Sequence, residues 1–162
     1  MSLISIVDED DNIIDYVERD LRRDDQIYRV SGLWITNPAW EILIAQRHKN
    51  KKHYPLLWWP AVAGTVEKGE TYQENIIKEA EEELGIKDIR PILWPKTETT
   101  SRYIHFTQWF LLTIDRELDE FILQEDEVES LKWISSESLR KEYAESPDNF
   151  VPSFALILPL FL

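Results

Sequence analysis

GTVEKGETYQENIIKEAEEELGI, residues 64–86, is the stretch from which the rest of the chain can be read. Three of the four glycines, Gly64, Gly69 and Gly85, fall inside it. At about 100° per residue, Ile76, Ile77, Ala80 and Leu84 cluster on one helical face, which must be buried. Glu79, Glu82 and Glu83 stand at i, i+3 and i+4 and share a different face. Three carboxylates in one turn repel one another, and a hard divalent cation with oxygen ligands is the natural counterweight. Acidic helix faces are commonly just solvated, since Glu is a good helix former. The flanks argue for more. Thr71 and Glu74 fit a Thr-x-x-Glu capping box at the helix start. Gly85 stands where a left-handed C-cap belongs. Gly64 and Gly69 bracket the entering loop, where glycine permits positive φ or close approach of the backbone to a ligand.

The spacing of these residues resembles the Nudix box, G-x5-E-x7-R-E-U-x-E-E-x-G-U, with U apolar. Gly64, Glu70, Glu79, Ala80, Glu82, Glu83, Gly85 and Ile86 each occupy a specified position. Lys78 alone departs, standing where the family has Arg. The resemblance implies an α/β (α+β) fold, a Nudix-type α/β/α sandwich with a central mixed sheet. It also implies hydrolysis of a diphosphate linkage with Mg²⁺ or Mn²⁺ as cofactor. Glu79, Glu82 and Glu83 would hold the ion, with Glu70 and the Gly64 carbonyl as further ligands. Lys78 would orient the cluster, more loosely than a planar Arg fork would. At i to Glu82's i+4, it would still balance charge.

Outward from the box the resemblance sharpens. Pro55, Leu57, Trp58, Pro60, Ala63 and Gly64 match a P-G-L-W-D-P-S-x-A-G pattern of Nudix proteins related to isopentenyl diphosphate isomerase. Leu56 replaces the Gly of that pattern and Trp59 the Asp. The chain has no cysteine, so the protonating Cys of the isomerase is absent and a hydrolytic activity is expected. The alternatives are an isoprenoid-diphosphate enzyme and a non-catalytic ligand-binding protein on the same fold.

Composition bounds the function. The 162 residues suit a single domain. With no cysteine, disulfides, thiolate metal sites and a Cys nucleophile are excluded. No signal peptide and no membrane-length apolar run is visible, which fits a cytoplasmic protein with no membrane contact. Eighteen basic residues face 31 acidic ones, a net charge of −13. Such a chain should not bind nucleic acid through general phosphate attraction. Its expected partner is a small-molecule diphosphate, bridged to protein carboxylates by a metal.

Residues 3–17 read as a β-hairpin around the DEDDN turn at 8–12, and 27–36 and 41–48 as paired strands. The segment 48–54 is a basic loop, from which Arg47, Lys49, Lys51 or Lys52 could meet substrate phosphate. Beyond the box, 87–102 reads as a strand, and 103–115 as a long central strand covered on both faces. Gln108 on that strand needs a partner, either a neighbouring backbone group or the metal site. Glu125, Asp126 and Glu127 are candidates for an extra ligand or base. Trp58 or Trp59 could stack on a nucleobase, while Trp34, Trp94, Trp109 and Trp133 suit strand cores. The apolar end, residues 150–162, must be covered by the core or by a second chain, and a homodimer contact is expected; Pro159 should interrupt its helix.

Overall fold

The computed structural model describes residues 2–162, and its elements follow the expected pattern closely. The hairpin is β1 (Leu3–Val7) with β2 (Ile13–Glu18). Then come β3 (Ile27–Thr36), β4 (Ile42–Arg47), β5 (Trp58–Pro60) and β6 (Val62–Thr65), followed by the box helix α1 (Tyr72–Leu84). β7 (Ile92–Thr99), β8 (His105–Thr113), β9 (Val128–Ile134), α2 (Ser136–Glu145) and α3 (Phe154–Phe161) complete the chain.

β3 is the hub of one nine-stranded mixed sheet. One edge pairs in parallel with β8 from Tyr28↔His105 to Thr36↔Thr113. The other edge takes β1 at its start and β6 through Val30–Leu33, both antiparallel. β4 pairs with β5 and β9, and β7 closes the far side against β8. β8 thus lies inside the sheet, where an apolar run on both faces belongs.

Strand alternation sends neighbouring residues to opposite faces. Leu33, Ile35, Leu43 and Phe110 pack under Ile76, Ala80 and Leu84 of α1. Trp34, Ile42, Ile44 and Trp109 face α2 and α3 through Leu139, Phe154 and Ile157. This is the α/β/α sandwich. Gly32 is required by one contact in it: a Cβ there would stand 2.4 Å from Trp109 Cζ3. Trp94, expected in a core, is 37% exposed on the β7 edge. The register shift between Leu93 and Lys96 lifts it out of the alternation.

One side of the C-terminal run packs on this chain's own sheet, while Leu156 stays 46% exposed. Phe154 is fully buried, Ile157 nearly so, and Phe161 stacks on Trp34 at 4.4 Å. α3 continues through Pro159 instead of stopping there. Apolar packing on both sides of Pro159 outweighs the one helical hydrogen bond it cannot donate.

The hairpin turn is tied to α1 by a buried carboxylate. Asp11, at φ 62°, accepts from Arg29 Nε at 2.8 Å and from the Tyr72 hydroxyl at 2.9 and 3.0 Å, and Lys96 also pairs with it. Burial pushes Asp11 up, but Lys96, Arg29 and Tyr72 together hold it below the usual carboxylate value. Removing one member of a buried pair leaves the other charge uncompensated. Asp11→Ala should therefore lower unfolding stability by about 3 kcal/mol. In a thermal melt this appears as a loss of about 6–12 °C; an unchanged melt would mean that the turn is not anchored here.

Candidate active site

α1 is built to hold its acids in place. The Thr71 hydroxyl accepts from Glu74 N at 3.1 Å, and the Glu74 carboxylate accepts from Thr71 N at 3.2 Å. Gly85 caps the other end at φ 69°. The apolar stripe fixes the helix's rotation on the sheet, so Glu79 and Glu83 turn inward along its edge. Gly64 on β6 lies directly beneath them. A Cβ at Gly64 would stand 2.3 Å from Glu79 Cγ and 2.9 Å from Glu79 Oε1.

Glu79 and Glu83 lie together, each acting on the other's carboxyl. Burial pushes Glu79 up to about 7, and the nearby Glu82 charge adds to the rise. Glu83 is raised further above the ordinary range, first by burial and then by Glu79 and Glu127. Glu82 stays exposed on the solvent side of the pair. Among the described residues no three His, Asp or Glu side chains already form a closed cage. The arrangement nevertheless fits a divalent cation. Two like charges are forced together in a partly desolvated place, a third adjoins them, and Gly64, lacking a Cβ, makes room for the Glu79 side chain against β6.

Lys78 does not reach Glu82 in an ion pair, as its i, i+4 spacing suggested. Its Nζ lies 2.7 Å from Glu70, 3.3 Å from Glu67 and 4.0 Å from Glu79. Glu70 also accepts from Glu67 N at 2.8 Å and from Asn75 Nδ2 at 3.1 Å. Burial would raise Glu70, yet these donors hold it below its ordinary value. Glu70 thus braces the loop entering α1, with both oxygens already taken by donors. Asn75, which sequence reasoning missed, is fully buried and also donates to Thr65 O at 3.0 Å. An Asn inside a helix pattern, one step from the capping Glu, was the available signal.

The other expected residues divide. Glu127 lies near enough to raise Glu83, and it pairs with Lys51 at 2.5 Å. Arg47 feels both Glu127 and Glu83 and donates from Nε to His53 O at 2.9 Å. Lys52 is exposed beside His53. Gln108 binds the backbone carbonyls of Trp94 and Trp109 and so secures the β7 irregularity. Trp58 is not with the glutamates. It packs on the α2/α3 face, next to Phe150 and under Lys132 Nζ at 4.6 Å. A separate group of rings gathers around His53 and Tyr103. Tyr54 meets Tyr103 edge-on at 6.4 Å, Tyr103 meets His53 at 4.8 Å, and Tyr28 meets His105 at 5.0 Å. These rings come from three separate segments, so no local pattern announced them.

Leu56, where the resembled pattern has Gly, sits at φ 64°. A left-handed Leu is strained there, and the pattern's Gly would not be.

A family model described as the NUDIX domain matches residues 26–154. An uncharacterised Nudix hydrolase of Listeria monocytogenes is 29% identical over 136 residues, 81% of this chain and 76% of the relative. An isopentenyl-diphosphate Delta-isomerase of Klebsiella pneumoniae is 24% identical over 137 residues, covering 82% of this chain and 74% of the relative. A crystal structure from Deinococcus radiodurans superposes with a TM-score of 0.82 over 99% of both chains at 21% identity, a likeness of fold.

The coupled pair makes stability depend on pH with a definite sign. A carboxyl raised from 4.5 to about 7 keeps its proton longer in the folded than in the unfolded chain. Without a divalent cation, stability therefore falls as pH climbs through that window and is level above it. Glu83→Gln removes one of the two like charges. At pH 8 in chelator it should raise stability by about 1–2 kcal/mol, less than the whole shift because Glu79 keeps some solvent contact. Urea titrations at pH 5 and pH 8 check this, and a destabilised variant at pH 8 would refute it.

Proposed function

The chain belongs to the NUDIX-domain family of pyrophosphate-bond hydrolases, and from that premise we propose that it cleaves the diphosphate linkage of a nucleoside diphosphate derivative. Glu79, Glu82 and Glu83 would hold the divalent cation, Mg²⁺ or Mn²⁺. One observation carries this: two carboxyls are held against each other, with the β6 glycine under Glu79, at a cost to the folded chain that a cation or a proton offsets. When bound there, the ion supplies neutralising charge to the diphosphate oxygens and acidifies water.

The chain's own residues do the rest. Lys78 and Asn75 clamp Glu70, which fixes the loop leading into α1 and with it the approach to Glu79. Arg47 and Lys51, next to Glu83 and Glu127, supply positive charge toward a diphosphate that the net charge of −13 would otherwise repel. A glutamate of the cluster not fully engaged by the ion would take the proton of the attacking water. The water oxygen bonds to one phosphorus, and the bridging P–O bond breaks. Its electron pair leaves with the departing phosphate.

The isomerase likeness suggests an isoprenoid diphosphate instead. Arg47 and Lys51 act on Glu83, and there is no cysteine to protonate an alkene. The cysteine-free composition also suits a reducing cytoplasm. No helix among the described residues is long and apolar enough to cross a membrane.

With nucleoside diphosphate derivatives and Mg²⁺ or Mn²⁺, Glu79→Gln and Glu83→Gln should each lower kcat by about a hundredfold or more, as loss of a group acting only in the transition state does. Lys78→Met should cost about tenfold, and Lys78→Arg should keep activity within about threefold. Wild-type turnover by Glu83→Gln, scored as released phosphate or nucleoside monophosphate, would sink the assignment.

A further inference from the structure

The pairing of β4 with β9 skips one residue. Gln46 faces Ser130 and Arg47 faces Val128, so Glu129 between them has no opposite number. A bulge of this kind turns a side chain out of the strand's alternation, and bulges gather beside active sites. Here the Glu129 carboxylate meets the β4–β5 loop. Its Oε2 accepts from Lys49 N at 3.1 Å and lies 3.6 Å from His48 Nε2. His48 Nδ1 accepts from Asn50 N at 3.1 Å, so Nε2 carries the ring proton, on the side of Glu129.

The residues that lead into β9 are fastened to the box helix. Gln124 N donates to Glu83 O at 3.1 Å and Ile122 N to Leu84 O at 3.0 Å, filling carbonyls that a helix end leaves open. Glu127 N closes on Gln124 O at 3.0 Å, and His48 N donates to Glu127 O at 3.1 Å. Lys51 Nζ meets the Glu127 carboxylate at 2.5 Å. An unbroken run of hydrogen bonds thus leads from the backbone of Glu83 to the basic loop.

The loop does not hold its shape unaided. Tyr54 at φ 52° and Leu56 at φ 64° are left-handed without being glycine. Such residues are strained and persist where their surroundings fix them. Within the loop, Lys51 N closes on His48 O at 3.1 Å and Arg47 Nε on His53 O at 2.9 Å. From outside it, Glu129 is the side chain that takes the amide of the turn at 48–51.

Resting on the hydrolase reading above, we propose that Glu129 is a positioning residue. Its carboxylate fixes the turn at 48–51, so that the cations of the loop are set for the diphosphate before it arrives. Glu129 touches no substrate and acts through Lys49 N and His48. Its loss frees the turn but leaves the bonds at Glu83 in place, so binding weakens while the chemical step does not.

Glu129→Ala removes the acceptor, whereas Glu129→Gln keeps an oxygen for Lys49 N. The side chain is 33% exposed, so both variants should melt within about 2 °C of the wild type. Exchange of the Lys49 amide, followed by NMR, should quicken by about tenfold in Glu129→Ala and by no more than about threefold in Glu129→Gln. KM is measured with Mg²⁺ on whichever of ADP-ribose, NADH and diadenosine tetraphosphate turns over, and Kd for α,β-methylene-ADP with Mg²⁺ by calorimetry. Both should rise about tenfold in Glu129→Ala, with kcat within about twofold, and return to within about threefold in Glu129→Gln. Unchanged amide exchange in Glu129→Ala, or a Glu129→Gln as impaired as Glu129→Ala, would overturn the proposal. Normal turnover with an unmoved KM would leave the diphosphatase reading standing and end this one. An analogue Kd that rises in Glu129→Ala and recovers in Glu129→Gln, with no probe hydrolysed by the wild type, would do the reverse. A wild type that neither hydrolyses a probe nor binds the analogue would end both.

Discussion

The forced meeting of Glu79 and Glu83 is the constraint on which the site depends. Left alone, two buried carboxylates in contact would separate or keep a proton. They cannot separate here. The apolar stripe of Ile76, Ala80 and Leu84 fixes α1's rotation on the sheet, and Gly64 brings the β6 backbone against Glu79. Packing energy of the core therefore holds an electrostatically unfavourable pair together. The site is destabilised for the bare chain and suited to a cation.

The surroundings extend this division of labour. Glu70, with both oxygens engaged by Lys78, Glu67 N and Asn75, braces the loop that enters α1. Asp11, Arg29, Tyr72 and Lys96 do the same at the start of α1, locking the hairpin to the helix. Positive charge is concentrated instead on the β4–β5 loop and its neighbours, opposite the glutamates. A strongly acidic protein can in this way present a local field that attracts an anion. The second face of the sheet, with Trp34, Trp109 and α3, is an apolar core.

Much of this was written locally. The helix from Thr71 to Gly85, its caps and its acidic face follow from i, i+3 and i+4 spacing and from where glycine is tolerated. The strands at 3–7, 13–18 and 27–36 follow from β-branched and aromatic runs between polar turns. What resists such reading is any contact between segments far apart in sequence. Gln108 could have reached the acids or the backbone, and the β7 register shift decided for the backbone. Trp58 was as good a stacking candidate as any ring by composition, but β5 turns it to the α2/α3 face. Tyr28, Tyr54 and Tyr103 come together only because β3 and β8 pair in parallel and the β4–β5 loop folds back over them.

By itself, then, the sequence determined the acidic helix and its caps, because both are set by periodicity and end residues within a single element, while the resemblance of that stretch to the Nudix box pointed to the fold class. Tertiary structure alone decided which carboxylates meet, which acids Lys78 pairs with and which aromatic rings gather around His53. Those facts depend on sheet order and on the side to which each strand turns, and neither is encoded within a few residues of the side chain concerned.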